Sequence, residues 1–569
     1  MPRSGTGICR CERPPLRTET TERSRKQPLP DGVFEDQELF VLGSDNTPYR
    51  HIGDAGTALV HLGGDPYLRV SSTALSRVAE TAFTDAAHYL RPGHLAQLAQ
   101  IVNDRTTTVN ERFVALEMIK NAVIAADGLY PLCQDTGTAL VTGFKGHQVL
   151  TDGEDHRAIS RGIHAAYTGH AFRYSQMAPL SLYDETNTRT NLPAQIDLLA
   201  AKGASYQFLC LAKGGGSANK TALYQQTRAI LSPDRLVPFL VEKIRALGTA
   251  ACPPYHLAVV IGGTSADACL KTVKWASAGF LDRLPVTGNS GGRAFRVPEL
   301  EAALLAATQE FGIGAQFGGR YFCHDVRVIR LPRHAASCPI GIGVSCSAHR
   351  NILAKIDADG LFVEQLETDP AQYLPTPEPA PDVPPVHMDL NQPMDRLREQ
   401  LSACPVGTLL LLNGPMVVAR DMAHARIAEH LKTHGRLPAY LQDNIIYYAG
   451  PAKTPAGYAA GAFGPTTAGR MDPYLETFQK HGGSLVTLAK GNRSASVTRT
   501  CQTHGGFYLG SIGGPAARLG RDCIRRVSVI DHADLGMEAV FRIEVSQFPA
   551  FVLVDDKGND FYQAVMGSC

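Results

Sequence analysis

The sequence predicts a mixed α/β protein in two parts: a large N-terminal α/β domain and a smaller, β-rich C-terminal domain. Three observations predict it. Seven prolines crowd between Pro370 and Pro385, in the run PAQYLPTPEPAPDVPP. That density excludes helix and central strand, so 370–387 reads as a stiff, extended linker. Before it, over 31–369, helical periodicity alternates with apolar runs that end in glycine turns. After it, over 388–569, short apolar runs at 408–412, 443–448, 484–488, 528–530 and 550–554 are separated by glycine-rich turns, a strand-rich pattern.

The chain opens on a different composition. Residues 1–30 carry Arg3, Arg10, Arg13, Arg17, Arg23, Arg25 and Lys26 among prolines, with almost no bulky apolar side chain. There is no apolar stretch for a secretory signal. Glu12, Glu19 and Glu22 and the lack of an amphipathic stripe argue against a transit peptide. The expectation is a disordered basic tail on a cytoplasmic protein; a transit peptide would instead direct it to the mitochondrial matrix.

Within the N-terminal part, 110–126 (NERFVALEMIKNAVIAA) predicts a helix ending before Gly128. Two later units look alike. An apolar run at 207–212 meets Gly214, Gly215, Gly216 and Ser217 before a helical pattern, and another at 257–261 meets Gly262, Gly263, Thr264 and Ser265 before a second helix. A strand, a glycine turn and a helix start point free N–H groups along a positive helix terminus, where a carboxylate or phosphate can sit. The fixed G-x-x-x-x-G-K spacing of a phosphate loop is absent.

The bulk numbers exclude several classes. At 569 residues and 44% hydrophobic, the chain can bury more than one core, and two or three domains are expected. Lys+Arg number 55 against 54 Asp+Glu, which is not the surface of a general nucleic-acid binder. No apolar stretch is long enough to span a membrane. The 13 cysteines are scattered over a long chain, so reduced thiols fit better than a disulfide framework.

Three of those cysteines sit among small or turn-forming residues: Cys133 in PLCQDTGTA, Cys252 in GTAACPPYH and Cys346 in GVSCSAHR. Such neighbours place a thiol at the exposed end of an element. They lie far apart in sequence, so no local metal knuckle exists, and Cys338 in ASCPIG competes with Cys346 on equal terms. The plain alternative for all four is a small buried side chain. Three thiolates can hold a four-iron cluster only by leaving one iron without a protein ligand, which is the arrangement of a dehydratase and not of an electron carrier.

The motifs then fall into one pattern. LCQDTGTA, LPAQ at 192–195, KGGGSANK at 213–220, GTAACPPYH, GGTSAD, IGAQFGG, RLPRH, GVSCSA, NGPMVVARDMAH and GPTTAGRMD at 464–472 occur in this order. In these the chain resembles the class I, iron–sulfur-dependent fumarate hydratases in their single-chain form, from about residue 70 to the C-terminus. The resemblance implies a [4Fe–4S] cluster on Cys133, Cys252 and Cys346, which also decides between Cys338 and Cys346. It implies contacts to fumarate or malate from Gln134, Asp135, Arg173, Gly216, Arg420, Thr466, Thr467, Ala468, Gly469, Arg470 and Lys490, in a cleft between the two parts. Charge agrees with this, because a dicarboxylate needs several cations and guanidinium forks match carboxylates. Without the resemblance, Arg173 is a salt-bridged surface arginine, Lys490 a solvated strand end, Asp135 a turn residue, and Thr466 and Thr467 capping hydroxyls.

By the same analogy Thr466 is the base, with Thr467 as its alternate, and Asp135 relayed with His334 protonates the departing oxygen. A lone histidine beside two arginines is otherwise structural. A homodimer is expected, with no nucleic-acid or membrane partner. Mesaconate and tartrate dehydratases use the same cluster logic, although the tartrate enzymes commonly split the two parts into separate chains. From another class, an iron sensor that binds RNA on losing its cluster lacks any aromatic-interleaved basic stripe here.

Overall fold

The computed structural model describes residues 37–376 and 383–567. The expected basic tail and the centre of the proline linker lie outside the described residues. Helices and strands are both abundant, so the mixed α/β class holds.

The first part builds two large sheets and two small ones. A six-stranded sheet runs in the order Tyr49–Gly53, Gly360–Glu364, Asn351–Asp357, Tyr206–Lys213, Thr138–Gly146 and Gln195–Ala201. A five-stranded sheet runs Ala222–Gln226, Cys338–Ser345, Tyr255–Gly263, Cys323–Arg333 and Phe295–Arg296. Tyr255–Gly263 is buried at every residue, because strands lie on both its edges and the helix Ala266–Ser277 covers a face. Ser265 caps that helix by accepting from the Ala268 N–H at 3.0 Å. The predicted helix is Val109–Ala126, capped by Thr108.

The second glycine unit forms as expected, and the first does not. After Gly214 the helix lasts only Gly215–Ala218, and the chain returns as the strand Ala222–Gln226. Three successive glycines do not favour a longer helix, since each loses more backbone freedom than any other residue.

The second part holds a seven-stranded sheet drawn wholly from 386–554. Its long strands Leu409–Val418 and Val540–Val554 pair antiparallel from Leu409↔Phe551 to Val418↔Phe541. Leu409–Val418 also pairs with Ile446–Tyr447, and Val540–Val554 with Phe507–Gly510, so the sheet closes into a ring with Val486–Ala489 between them. Closure removes two sheet edges. Four helices of nine or more residues accompany it, among them Asp421–His434 and Ala495–His504, more helix than the apolar runs alone suggest.

The two parts share apolar interior. One buried cluster runs from Leu95, Ile119 and Tyr255 on one side of the linker to Val417, Ile446, Tyr508 and Phe551 on the other. Phe317 stacks on Phe551 with ring centroids 4.1 Å apart.

Candidate active site

The three cysteines sit at the ends of elements. Cys133 precedes Thr138–Gly146, Cys252 precedes Tyr255–Gly263, and Cys346 follows Cys338–Ser345. Backbone bonds draw their loops together: Ser347 N donates to the Cys252 carbonyl at 3.0 Å. Arg350, four residues past Cys346, donates from Nη1 to the Asp135 carbonyl at 2.6 Å. Cys252 holds a left-handed backbone, φ 63°, an uncommon cost for a non-glycine residue.

Contrary to the sequence expectation, Cys133 and Cys252 are buried and only Cys346 is partly exposed. The cover comes from the other part of the chain. Lys490 Nζ donates to Cys252 Sγ at 2.9 Å, and a side chain at Gly513 would collide with that sulfur. Gln316 fixes Gly513 by accepting from its N–H and donating to its carbonyl, each at 2.8 Å, and reaches the Pro253 carbonyl at 2.9 Å. Cys338 stands at the far end of the strand that leads to Cys346. At about 3.3 Å per residue that separates the two by roughly 26 Å.

Burial pushes the Cys252 thiol up to about 11; Lys490 pulls it back, and Cys346 and Cys133 push it further. Burial likewise raises Cys133, against Arg350 and Lys490. The three sulfurs therefore feel one another, inside a shell of cations. The raised Cys133 and Cys252 thiols stay protonated until a metal ion brings the charge that makes thiolates. The donor set fits a cluster held by three cysteines.

Around them the predicted residues gather. Asp135 pairs with Arg173 at 3.0 Å and accepts from Gly215 N at 2.8 Å and Ser175 Oγ at 3.3 Å. The carboxylate expected at the glycine turn is thus the chain's own. Burial alone would raise the Asp135 carboxyl, but Arg173, Arg350 and the Gly215 N–H hold it well below the usual range. It is ionised at neutral pH, an anchor for cations and not a resting proton donor. Gly216 lies beside the Cys252 loop, where an added Cβ would meet the Ala250 carbonyl at 3.2 Å and Lys490 Nζ at 3.7 Å.

From the second part, the GPTTAGR turn is stitched to Lys490. Lys490 N donates to the Thr466 carbonyl at 3.2 Å and Ala468 N to the Lys490 carbonyl at 2.9 Å, with Thr467 bridging Lys490. Gln134 Nε2 donates to the Pro465 carbonyl at 3.2 Å, tying this turn to the residue beside Cys133. Arg470 donates to Thr466 Oγ1 and pairs with Asp421 at 3.1 Å; Gly469 beside it is exposed. Arg420, ahead of the helix Asp421–His434, is buried, its Nε has no partner, and Glu538 lies 3.5 Å from Nη2. Burial pushes its pKa down to about 10, and the charges of Arg173 and Arg470 add to that push.

One expected member is elsewhere. His334 is exposed in the loop between Cys323–Arg333 and Cys338–Ser345 and accepts from Ala336 N at 3.2 Å. That loop adjoins Cys338, at the opposite end of the strand from Cys346, so within one chain Asp135 and His334 form no relay. Sequence reasoning missed Arg350 and Gln316. Both lie inside the motifs GVSCSAHR and IGAQFGG, so their signal was position in a motif and not chemistry of their own.

Comparison with known proteins follows the same outline. The family model "Fumarate hydratase (Fumerase)" matches residues 76–355 and "Fumarase C-terminus" matches 360–565. A class I aerobic fumarate hydratase of Salmonella typhimurium is 54% identical over 94% of this chain and 92% of its own length. A class I anaerobic fumarate hydratase of Escherichia coli is 54% identical, covering 93% and 97%. Fumarate hydratase 2 of Leishmania major is 55% identical, covering 89% of each. With family models matching both parts and 54% identity over nearly the whole chain, this chain belongs to the class I fumarate hydratase family.

Proposed function

We propose that this protein catalyses the reversible hydration of fumarate to (S)-malate on a [4Fe–4S] cluster held by Cys133, Cys252 and Cys346. The observation that carries the reading is a run of cations from both sides of the linker: Lys490 donates to Cys252 Sγ, Arg173 pairs with Asp135 beside Cys133, and Arg420 feels the charges of Arg173 and Arg470. When bound, the cluster supplies a Lewis acid through the iron that lacks a protein ligand.

The residues divide the remaining work. Arg173, Arg420 and Arg470 receive the substrate carboxylates, which offset a charge that Arg420 otherwise holds buried and repelled. Proton removal beside a carboxylate leaves a dianionic, enolate-like group, and fixed cations stabilise that charge as it develops. Thr466 is the base: Arg470 already donates to its Oγ1, and a donor held there favours the deprotonated hydroxyl. Thr467 is the alternate on the same turn. Asp135 holds Arg173 and the Gly215 turn in register, and it delivers a proton to the departing oxygen only after taking one up. Gln134 and Gly216 shape the wall, and the burial of Cys133 and Cys252 keeps bulk water from their sulfurs. A homodimer in the cytoplasm belongs to the same reading.

The test is one anaerobic assay of the iron- and sulfide-reconstituted chain with fumarate, mesaconate and tartrate side by side. Fumarate should be turned over with the highest kcat/KM. A clear preference for mesaconate or tartrate would reassign the substrate, and turnover of none would refute the reading.

A further inference from the structure

A second group of ligating side chains lies against the Cys346 loop, which it meets through the Ser347 carbonyl. His94 stands in the first turn of the helix Pro92–Asn103, and His256 in the strand Tyr255–Gly263. His324 is the bulged residue of the neighbouring strand: Tyr255 pairs with Cys323 and His256 with Asp325, so His324 is left over between them. A bulge re-aims a side chain. The ligand atoms of His94, His256 and His324 all lie within 4.8 Å of one another.

Hydrogen bonding fixes which nitrogens are free. His94 Nε2 lies 3.0 Å from the Ser347 carbonyl, which can only accept, so that nitrogen carries hydrogen. His256 Nδ1 lies 3.0 Å from both Asp325 carboxylate oxygens. Burial would raise that carboxyl, but His256 and Arg327 hold it well below the usual range, so it too only accepts. The inner nitrogens, His94 Nδ1 and His256 Nε2, then face each other 2.9 Å apart. With both rings neutral and their outer nitrogens carrying hydrogen, the two inner nitrogens present lone pairs, and either a shared proton or a bound metal ion relieves their repulsion. His324 Nε2 is buried with no partner. Burial pushes His94 down to about 3 and drives His324 well below its ordinary value. Both are therefore neutral and able to ligate near pH 7.

The surroundings match a metal site. An imidazole whose outer N–H is held by a carboxylate or a carbonyl is the usual orientation of a metal-ligating histidine. His349 packs against His256 with ring centroids 3.8 Å apart, but both its nitrogens are engaged, by Ser345 Oγ and the Asn351 amide. It is a floor and not a ligand. A cavity of about 440 Å³ opens onto His94, His256 and Asp325. Its Arg91 and Arg327 are each paired bidentately, with Glu364 and Asp282. With Asp325 added, the acids exceed these arginines by one, which favours a cation.

We propose that His94, His256 and His324 form a binding site for one divalent transition-metal ion of the imidazole-preferring class, separate from the cysteine site, with Asp325 and the Ser347 carbonyl orienting two of the rings. Tetrahedral zinc with bonds of 2.0–2.1 Å needs ligand nitrogens about 3.3 Å apart, so to seat the ion the His94–His256 pair opens by about 0.4 Å from 2.9 Å and His324 closes from within 4.8 Å. The cavity that His94 and His256 line can supply the water or small anion that would complete the shell. The site stands whatever substrate the cysteine site takes.

The test titrates Zn²⁺ into the reconstituted full chain under anaerobic conditions, by calorimetry and zinc-edge X-ray absorption. The expected result is one zinc per chain in a shell of nitrogen and oxygen without sulfur. Asp325→Asn should weaken binding about 10- to 100-fold, and His324→Ala by more. The X-ray measurement needs no variant, so a variant that fails to fold does not remove the test. No saturable binding at micromolar zinc, a shell containing sulfur, or full affinity in folded His324→Ala would overturn the proposal and leave a proton shared between His94 and His256.

Discussion

Asp135, which pairs with Arg173, and Arg420, whose charge Arg173 opposes, are satisfied to very different degrees. Asp135 has Arg173, the Gly215 N–H and Ser175 on its carboxylate, and Arg350 on its carbonyl. Arg420 is buried with an unpartnered Nε; its Nη2 has only long contacts, to Glu538 and the Met537 carbonyl at 3.5 Å each, and the nearby acids Glu538 and Asp421 are opposed by the guanidiniums of Arg173 and Arg470. The first is a finished anchor, and the second is a charge awaiting an anion. The N-terminal half therefore sets geometry and the C-terminal half takes up substrate charge. Domain-level division alone would not have said which does which.

The largest effect should come from the thiols. Cys133→Ser, Cys252→Ser and Cys346→Ser should each lose iron and hydratase activity to background, while Cys338→Ser, at the far end of its strand, keeps both. Iron content and turnover of the four variants decide it. A dead Cys338→Ser would break the placement of the third ligand.

Next is the base. Thr466→Ala should lower kcat by about 10²–10⁴ with KM within a few-fold, the pattern of lost proton transfer. Exchange of solvent deuterium into malate should slow in step. Fast exchange with failed dehydration would move the base to Lys490 or Thr467.

Arg470→Ala should act on both parameters, raising KM and lowering kcat. Its side chain is half-exposed, so the low end of the cost of truncating a charge pair applies: about 2 kcal/mol, roughly thirtyfold in kcat/KM. Thr467→Ala should be milder still, within a few-fold, and a larger loss there than at Thr466 would exchange their roles.

Much of the frame was legible in the sequence. Local patterns mark the helix Val109–Ala126 and the strand, turn and capped helix at GGTSAD, because each depends on neighbours in sequence; the proline run does not stay extended throughout, since Pro370–Tyr373 forms a 3₁₀ turn and Val386–Asp389 a strand. The closed C-terminal ring was not legible, since Leu409–Val418 meets Val540–Val554 only through pairing of distant segments. Nor was the shared core: an apolar residue does not declare which apolar face it will join. Composition left Cys346 and Cys338 equal, and the family motifs chose between them. His94, His256 and His324 escaped notice because a single histidine carries no signal until a bulge and two strands bring three together.

The division between anchor and receiver is tested most directly by equilibrium binding of an unreactive four-carbon dicarboxylate to the reconstituted full chain. Calorimetry on the unmodified protein, Arg420→Ala and Arg173→Ala gives three isotherms. Losing a buried, unsatisfied cation should cost about 2–5 kcal/mol, so Arg420→Ala should bind roughly 30- to 5,000-fold more weakly. Arg173→Ala should lose less, because its charge is already met by Asp135. Equal affinity for Arg420→Ala and the unmodified protein, or a larger loss at Arg173, would contradict the account.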